Sequence, residues 1–284
     1  MDRLPQHLQL KVLSLLDDGA FNKVVQVATE RSSAAPVRAP DKTFLCRVSS
    51  ASKDYQARRA VEELKVRGLA VFDDFLGADA AAATRAAADD IAGSGLMRKA
   101  RMGKDVTQWA DARARGDDMI WFNDLLALPE GQLVSGAGEK APGDAEVAGV
   151  AASESVPAGS IAQLASAVAK LKEVGADMTS TIGGQFECSR MTFQLSRYAD
   201  GARYVRHSDV GTQTADRRIT CIYYMNPNWK IEHGGELRVY LPLGSTRGID
   251  VGLRDATYPC DVAPLMDRLI LFRSEIEHEV LPSR

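Results

Sequence analysis

Histidine is scarce in these 284 residues: His7, His207, His233 and His278 are all there is, so a histidine-based site has few candidates. Cysteine is as sparse. Cys46, Cys188, Cys221 and Cys260 stand apart with no CxxC pair, which argues against a disulfide framework and fits reduced thiols in cytosol or nucleus. An excess of one charge is also missing: 35 basic against 38 acidic side chains leave a net charge of −3. With a pI of about 5.9, neither nucleic acid nor an anionic membrane surface is expected as the main partner. No apolar run approaches the roughly 20 residues that a membrane span needs. The start, Met1 to Pro5, lacks a basic stretch followed by an apolar one, so no secretory signal is expected there. What remains is ordinary for a globular protein, with 45% hydrophobic and 26% charged residues in a length that suits one large domain or two modest ones.

Along the chain, residues 4–30 read as two short helices, one built on Leu8, Leu10, Val12, Leu13, Leu15 and Leu16 and one on Phe21, Val24, Val25 and Val27. Asp17-Asp18-Gly19 between them supplies a turn and an N-cap. Residues 31–42 (RSSAAPVRAPDK) have a linker's composition. A helix over about 54–66 ends near Gly68, a strand follows over 69–72, and alanine-rich 78–92 predicts another helix. Residues 129–160 lack large apolar groups and any period, and read as a flexible insertion. A helix is expected over about 161–174. From 190 onward the pattern becomes that of strands, at 191–198, 219–225, 236–241 and 268–272, with turn signals between them. The expected fold is α+β: a sandwich or barrel in the C-terminal third, with upstream helices supporting it.

His207-Ser208-Asp209 is the chemical centre of this reading. In an extended segment, residues i and i+2 share a face, so an imidazole nitrogen and a carboxylate oxygen can reach one ion. His278 follows the strand at 268–272, and a jelly roll would return it beside the first pair. Two histidines and one carboxylate on one face of an octahedron leave three positions open. That is the donor set of non-haem Fe(II) oxygenases and differs from the closed tetrahedron of structural zinc. An HxD pair alone is a weak signal; without further context, His207 reads equally as a loop histidine and His278 as a solvated one among Glu275, Glu277 and Glu279. His233, beside Gly234-Gly235, has no carboxylate two residues away and is expected in a turn.

The flanking segments are more specific. Residues 198–209 (YADGARYVRHSD), 217–226 (RRITCIYYMN), Trp229, 234–240 (GGELRVY), 267–274 (DRLILFRS) and 278–282 (HEVLP) together resemble the prolyl-hydroxylase branch of the Fe(II)/2-oxoglutarate dioxygenases, in particular the enzymes acting on hypoxia-inducible factor and their protist relatives. Residues 68–77 (GLAVFDDFLG) and 115–121 (RGDDMIW) extend the resemblance upstream. It implies a double-stranded β-helix, or jelly roll, within a dioxygenase domain over 43–284 whose core strands lie in 190–284. It implies Fe(II) held by His207, Asp209 and His278, 2-oxoglutarate as cosubstrate, L-ascorbate as accessory reductant, and O2. The implied reaction converts proline in a protein or peptide to 4-hydroxyproline, with succinate and CO2 as coproducts. Tyr224 resembles the tyrosine that bonds the distal carboxylate of 2-oxoglutarate, and Tyr198 one near its chelating end. Leu237 and Ile222 resemble apolar walls of that pocket. Tyr204, Arg217, Asp117 and Trp121 resemble residues at the mouth where the peptide enters. Strand geometry alone sends Tyr223 and Tyr224 to opposite faces without choosing between them.

One departure stands out. The family anchors 2-oxoglutarate with an arginine on the strand after the distal histidine, and Arg284 comes closer to His278 than that arginine does. Either Arg284 serves in a shifted register or the sequence stops short of the anchor, as truncation would leave it. The rival readings are a dioxygenase of the same fold with another substrate, and a non-catalytic binding module that has lost the arginine. Residues 1–42 resemble the start of a helical F-box followed by a linker, which implies docking to the adaptor of SCF ubiquitin ligases; a helical cap on the catalytic domain is the other reading.

Overall fold

The computed structural model describes residues 7–15, 46–48, 52–53, 55–102, 109–126, 156–182, 190–210, 217–242 and 257–284. The expected turn at 17–19, the second N-terminal helix at 21–27, the linker at 31–42 and most of the insertion at 129–160 lie outside the described residues. In chain order the first elements are β1 (His7–Leu15), β2 (Cys46–Val48), β3 (Ser52–Lys53), α1 (Ala57–Arg67) and β4 (Leu69–Asp73). There follow α2 (Ala78–Gly93), β5 (Arg98–Lys99), β6 (Asp118–Trp121), α3 (Phe122–Leu126) and α4 (Ala158–Ile182). The C-terminal strands are β7 (Arg190–Tyr198), β8 (Tyr204–His207), β9 (Arg217–Tyr224), β10 (Leu237–Pro242), β11 (Thr257–Val262), β12 (Arg268–Arg273) and β13 (His278–Val280).

Period-two alternation divides these strands between two apolar layers. On β9, Ile219, Cys221, Tyr223 and the following Met225 pack with the helices, together with Phe193 and Leu195 of β7 and Leu269 and Leu271 of β12. The helices meet them through Ala60 and Leu64 of α1, Ala88 and Ile91 of α2, and Leu164, Val168 and Leu171 of α4, each set at the three-to-four-residue spacing of one helical face. The other face of the same strands carries Ile222, Tyr224, Ile270 and Phe272, which pack on Leu237, Val239, Val262 and Val280. Among the described residues the result is an eight-stranded sheet, ordered β3-β4-β12-β9-β1-β7-β6-β5, facing a five-stranded sheet, ordered β2-β11-β10-β13-β8. Pairing is antiparallel throughout, apart from β3 with β4 and β2 with β11. This is an open jelly roll with helices on one outer face, as the sequence led us to expect.

α1 stops at Gly68, whose φ of +75° puts it in the left-handed region and whose N–H returns to the Leu64 carbonyl at 3.0 Å. α4 runs from Ala158 to Ile182, well beyond the expected 161–174. Its extra turns add Met178 to the packed face. His233 lies in a turn, as expected, where its Nδ1 accepts the Lys230 N–H at 3.1 Å. Cys221 and Cys260 are buried and form no disulfide among the described residues.

The N-terminal expectation needs correction. Residues 7–15 form no helix; they are β1, paired antiparallel with both β7 and β9 in the middle of the eight-stranded sheet. Leu8, Leu10 and Val12 alternate with Gln9 and Lys11, so the same cluster satisfies period two as well as a helical stripe. Short apolar runs are ambiguous in this way, and two unpaired neighbouring strands decide the matter by satisfying the backbone on both sides. A central strand cannot be an F-box helix, and the adaptor-docking idea loses its basis.

Arg268 is fully buried and makes a two-pronged ion pair with Asp73, at 2.7 and 2.9 Å, while a third nitrogen donates to the Ala263 carbonyl at 3.0 Å. This pair ties β12 to β4 at the edge of the inter-sheet layer. Asp73→Ala is expected to cost roughly 3 kcal/mol in denaturant unfolding, because it leaves a guanidinium buried without its carboxylate. An undiminished midpoint would show that the pair contributes nothing.

Candidate metal centre and cosubstrate pocket

β8 and β13 are neighbours in the five-stranded sheet, and their register sets His207 directly opposite His278. The imidazole centroids are 4.3 Å apart. Each ring turns its Nδ1 to the carbonyl two residues before it: His207 to Val205 at 2.8 Å, His278 to Ile276 at 3.0 Å. A carbonyl only accepts, so each Nδ1 carries the hydrogen and each neutral ring keeps its lone pair on Nε2. Asp209 lies just past β8, held by its N–H on the Ser274 carbonyl at 3.1 Å. Its Oδ1 is 3.8 Å from His207 Nε2 and its Oδ2 is 3.6 Å from His278 Nε2. Those separations exceed a hydrogen bond but suit ligand atoms sharing one ion. One donor atom from each of the three residues lies within 4.8 Å of the others. Two imidazoles with fixed tautomers and one carboxylate therefore fit a divalent cation.

The centre is packed on two sides. Phe272 presents its edge to His278 at 4.7 Å, and His278 is only 1% exposed. Tyr204 stacks on His207 at 3.6 Å with 19° between the planes. Arg115 lies over the Tyr204 ring at 4.7 Å and is gripped by Asp117 at 2.8 and 3.2 Å. Arg217, at the start of β9, donates to the Asp209 backbone carbonyl at 3.4 Å. Of the four residues expected at the entrance, Tyr204 and Arg217 thus touch the triad. Asp117 is fully buried and acts one step away, through Arg115. Trp121 is exposed on β6, paired with Gln194 of β7, and lies outside this chain of contacts.

The family model of the 2OG-Fe(II) oxygenase superfamily matches residues 193–284, the stretch that carries all three donor residues. That stretch is thus similar to 2OG-Fe(II) oxygenase domains. The chain is similar to the mouse prolyl hydroxylase EGLN3, with 37% identity over 108 residues that cover 37% of this chain and 40% of the relative. It is also similar to a hypoxia-inducible factor prolyl hydroxylase of Caenorhabditis elegans, 38% identical over 86 residues, covering 29% of this chain and 10% of that one. The chain thus spans well under half the length of these curated relatives. Two solved structures share the fold. The Trichoplax adhaerens prolyl hydroxylase, in complex with a hypoxia inducible factor oxygen degradation domain peptide, has a TM-score of 0.55 at 21% identity, covering 80% of this chain and 84% of that one. A Pseudomonas putida prolyl-4-hydroxylase has a TM-score of 0.52 at 24% identity, covering 80% and 92%.

Beside the triad, the fold gathers the other expected pocket residues into the layer between its two sheets. Tyr198, Ile222, Tyr224 and Leu237 all belong to that one buried cluster. The two adjacent tyrosines separate as strand geometry requires. Tyr223 faces the helices and donates to Asp267 at 2.9 Å, whereas Tyr224 faces the inter-sheet layer, where its buried hydroxyl has no hydrogen-bond partner among the described residues. Burial raises the Tyr224 hydroxyl well above the usual phenol range, with the nearby Arg268 opposing, so it stays a proton donor at neutral pH. Arg284 is exposed and stands apart from this cluster, its N–H on the His233 carbonyl at 2.7 Å.

Two contributors were not singled out from the sequence. Thr220 donates to Asp209 Oδ2 at 2.7 Å, and Ser274 lies 3.0 Å from the Thr220 hydroxyl. Period two offered a signal for Thr220, since it shares its strand face with Ile222 and Tyr224. Ser274 offered none, because it lies past the end of β12 and meets Thr220 only through the pairing of β12 with β9.

Proposed function

We propose that this chain is an Fe(II)- and 2-oxoglutarate-dependent dioxygenase that hydroxylates proline in a protein or peptide substrate. The observation carrying this reading is the convergence of His207, Asp209 and His278, with both Nε2 atoms turned to one carboxylate and both Nδ1 atoms tied back to the backbone. The prolyl hydroxylases among the relatives support the choice of substrate. Bound iron would supply the oxygen chemistry: one oxygen atom of O2 enters a substrate C–H bond, the other enters succinate, and 2-oxoglutarate loses CO2. The chain's own residues hold, orient and exclude. His207, Asp209 and His278 hold the ion. The Tyr224 hydroxyl donates to the distal carboxylate of 2-oxoglutarate, with Tyr198 near the chelating end. Ile222 and Leu237 keep water from the pocket. Tyr204 and Arg217 shape the mouth, backed by Asp117 through Arg115. Arg284, exposed as it is, supplies no anchor in this arrangement. L-ascorbate would serve as reductant. No helix among the described residues is long and apolar enough to cross a membrane. Two buried cysteines outside any disulfide accord with a reducing compartment, cytosol or nucleus.

The test is succinate release by the purified chain with Fe(II), ascorbate, 2-oxoglutarate and a panel of proline peptides, read together with the gain of one oxygen atom by mass. Hydroxylation of a residue other than proline would redirect the substrate assignment. No succinate with any peptide would favour a binding module. Tyr224→Phe is expected to raise the KM for 2-oxoglutarate about tenfold or more while iron affinity holds, since a hydrogen bond to a charged group contributes roughly 1.5–3 kcal/mol. An unchanged KM would remove Tyr224 from the pocket.

A further inference from the structure

We propose that Thr220 is a positioning residue that keeps Asp209 a one-oxygen ligand, with Ser274 aligning Thr220. The proposal rests on reading the triad as a metal site. Thr220 on β9 and Ser274 just past the end of the neighbouring β12 are both fully buried, at 0% exposure. The Thr220 hydroxyl lies 2.7 Å from Asp209 Oδ2 and 3.0 Å from Ser274 Oγ. A threonine hydroxyl has a single hydrogen, and an ionised carboxylate can only accept. That hydrogen therefore goes to Asp209, and the Ser274 hydroxyl must donate to Thr220. The relay runs Ser274 to Thr220 to Asp209, in one direction only. The Ser274 carbonyl also accepts the Asp209 N–H at 3.1 Å and the Ser208 hydroxyl at 3.2 Å, so backbone and side chain of Asp209 are set from the same corner.

The consequence lies in the count of ligand positions. A carboxylate can bind a cation through one oxygen or both. A second oxygen would take one of the three positions that a chelating 2-oxoacid and O2 need. Thr220 engages Oδ2 with a charge-assisted hydrogen bond, which leaves Oδ1, the oxygen turned toward His207, as the ligand atom. A hydroxyl buried at this position does for the carboxylate what the Val205 and Ile276 carbonyls do for the two imidazoles: it selects which atom meets the ion.

The experiment uses the full chain loaded with Co(II) in place of iron, comparing wild type, Thr220→Val, Thr220→Ser and Ser274→Ala. The readouts are Co(II) affinity, the visible absorption of the bound Co(II), which reports coordination number, and the change in that absorption on adding 2-oxoglutarate. Thr220→Val is expected to weaken Co(II) binding about tenfold, the lower end for a lost outer-sphere partner, and to alter the absorption. It should also blunt the response to 2-oxoglutarate. Thr220→Ser should restore all three, and Ser274→Ala should fall between. Wild-type affinity and spectrum in Thr220→Val would overturn the proposal. If the valine variant does not fold, Thr220→Ala is read in its place with the same two outcomes. A wild type that binds Co(II) but ignores 2-oxoglutarate overturns the proposed activity while leaving Thr220 to be judged on the Co(II) spectrum. A wild type that binds no Co(II) overturns both.

Discussion

Deleting residues 1–15 is expected to abolish the cooperative unfolding transition, or to lower Tm by well over 10 °C. β1 pairs along its whole length with β7 on one side and over Gln9–Leu15 with β9 on the other. Its register is continuous with β7 over all nine residues, from His7 opposite Tyr198 to Leu15 opposite Arg190. Without it, the eight-stranded sheet splits into two pieces with unpaired edges at β7 and β9. Exposed edges of that length recruit other chains, so aggregation should accompany the loss of stability. For a domain of this size each kcal/mol is worth roughly 2–4 °C, and a central strand contributes several. Thermal unfolding followed by circular dichroism, with light scattering beside it, checks both effects. A truncated chain with an unchanged Tm would mean that β1 is dispensable and would bring back the view of the N-terminus as a separate arm.

His207→Ala is expected to reduce Fe(II) affinity by more than about 100-fold and turnover to background, while the metal-free protein unfolds within about 3 °C of wild type. The lost atom is one of three donors, a larger subtraction than any outer-sphere contact. The fold should tolerate it because the His207 side chain lies at the rim, 17% exposed, whereas His278 is buried against Phe272. Equilibrium metal binding and succinate release give the first two quantities, and unfolding of the metal-free protein gives the third. Retained turnover would exclude His207 as a required ligand.

Periodicity made most of the local elements legible. The run 69–72 is β4, and the alanines of 78–92 form α2 with Ala88 and Ile91 inward. The HxD pair was legible as a pattern but not as a site, since nothing local brings His278 to it; the antiparallel register of β8 with β13 does that. Strand geometry split Tyr223 from Tyr224 correctly yet could not say which faced the pocket, because that depends on which face the helices cover. Asp117 read as a polar residue at the entrance and is instead the buried grip on Arg115. The greatest miss, β1, has the same origin. Leu8, Leu10 and Val12 carry two periods at once, and only partners nearly two hundred residues away along the chain select one of them.

The pairing of His207 with His278 also makes the donor set a clasp. It joins the end of β8 to the start of β13, so an ion held there closes one long stretch of chain onto itself. An ion that binds the folded form alone adds RT ln(1 + [L]/Kd), about 2.7 kcal/mol at a hundredfold excess over Kd. Tm should then rise by roughly 5–10 °C with Fe(II) or Co(II) and fall back with a chelator. On the proposed function the ion would be a structural member of the five-stranded sheet as well as a reagent, and metal supply would set how long the folded chain persists.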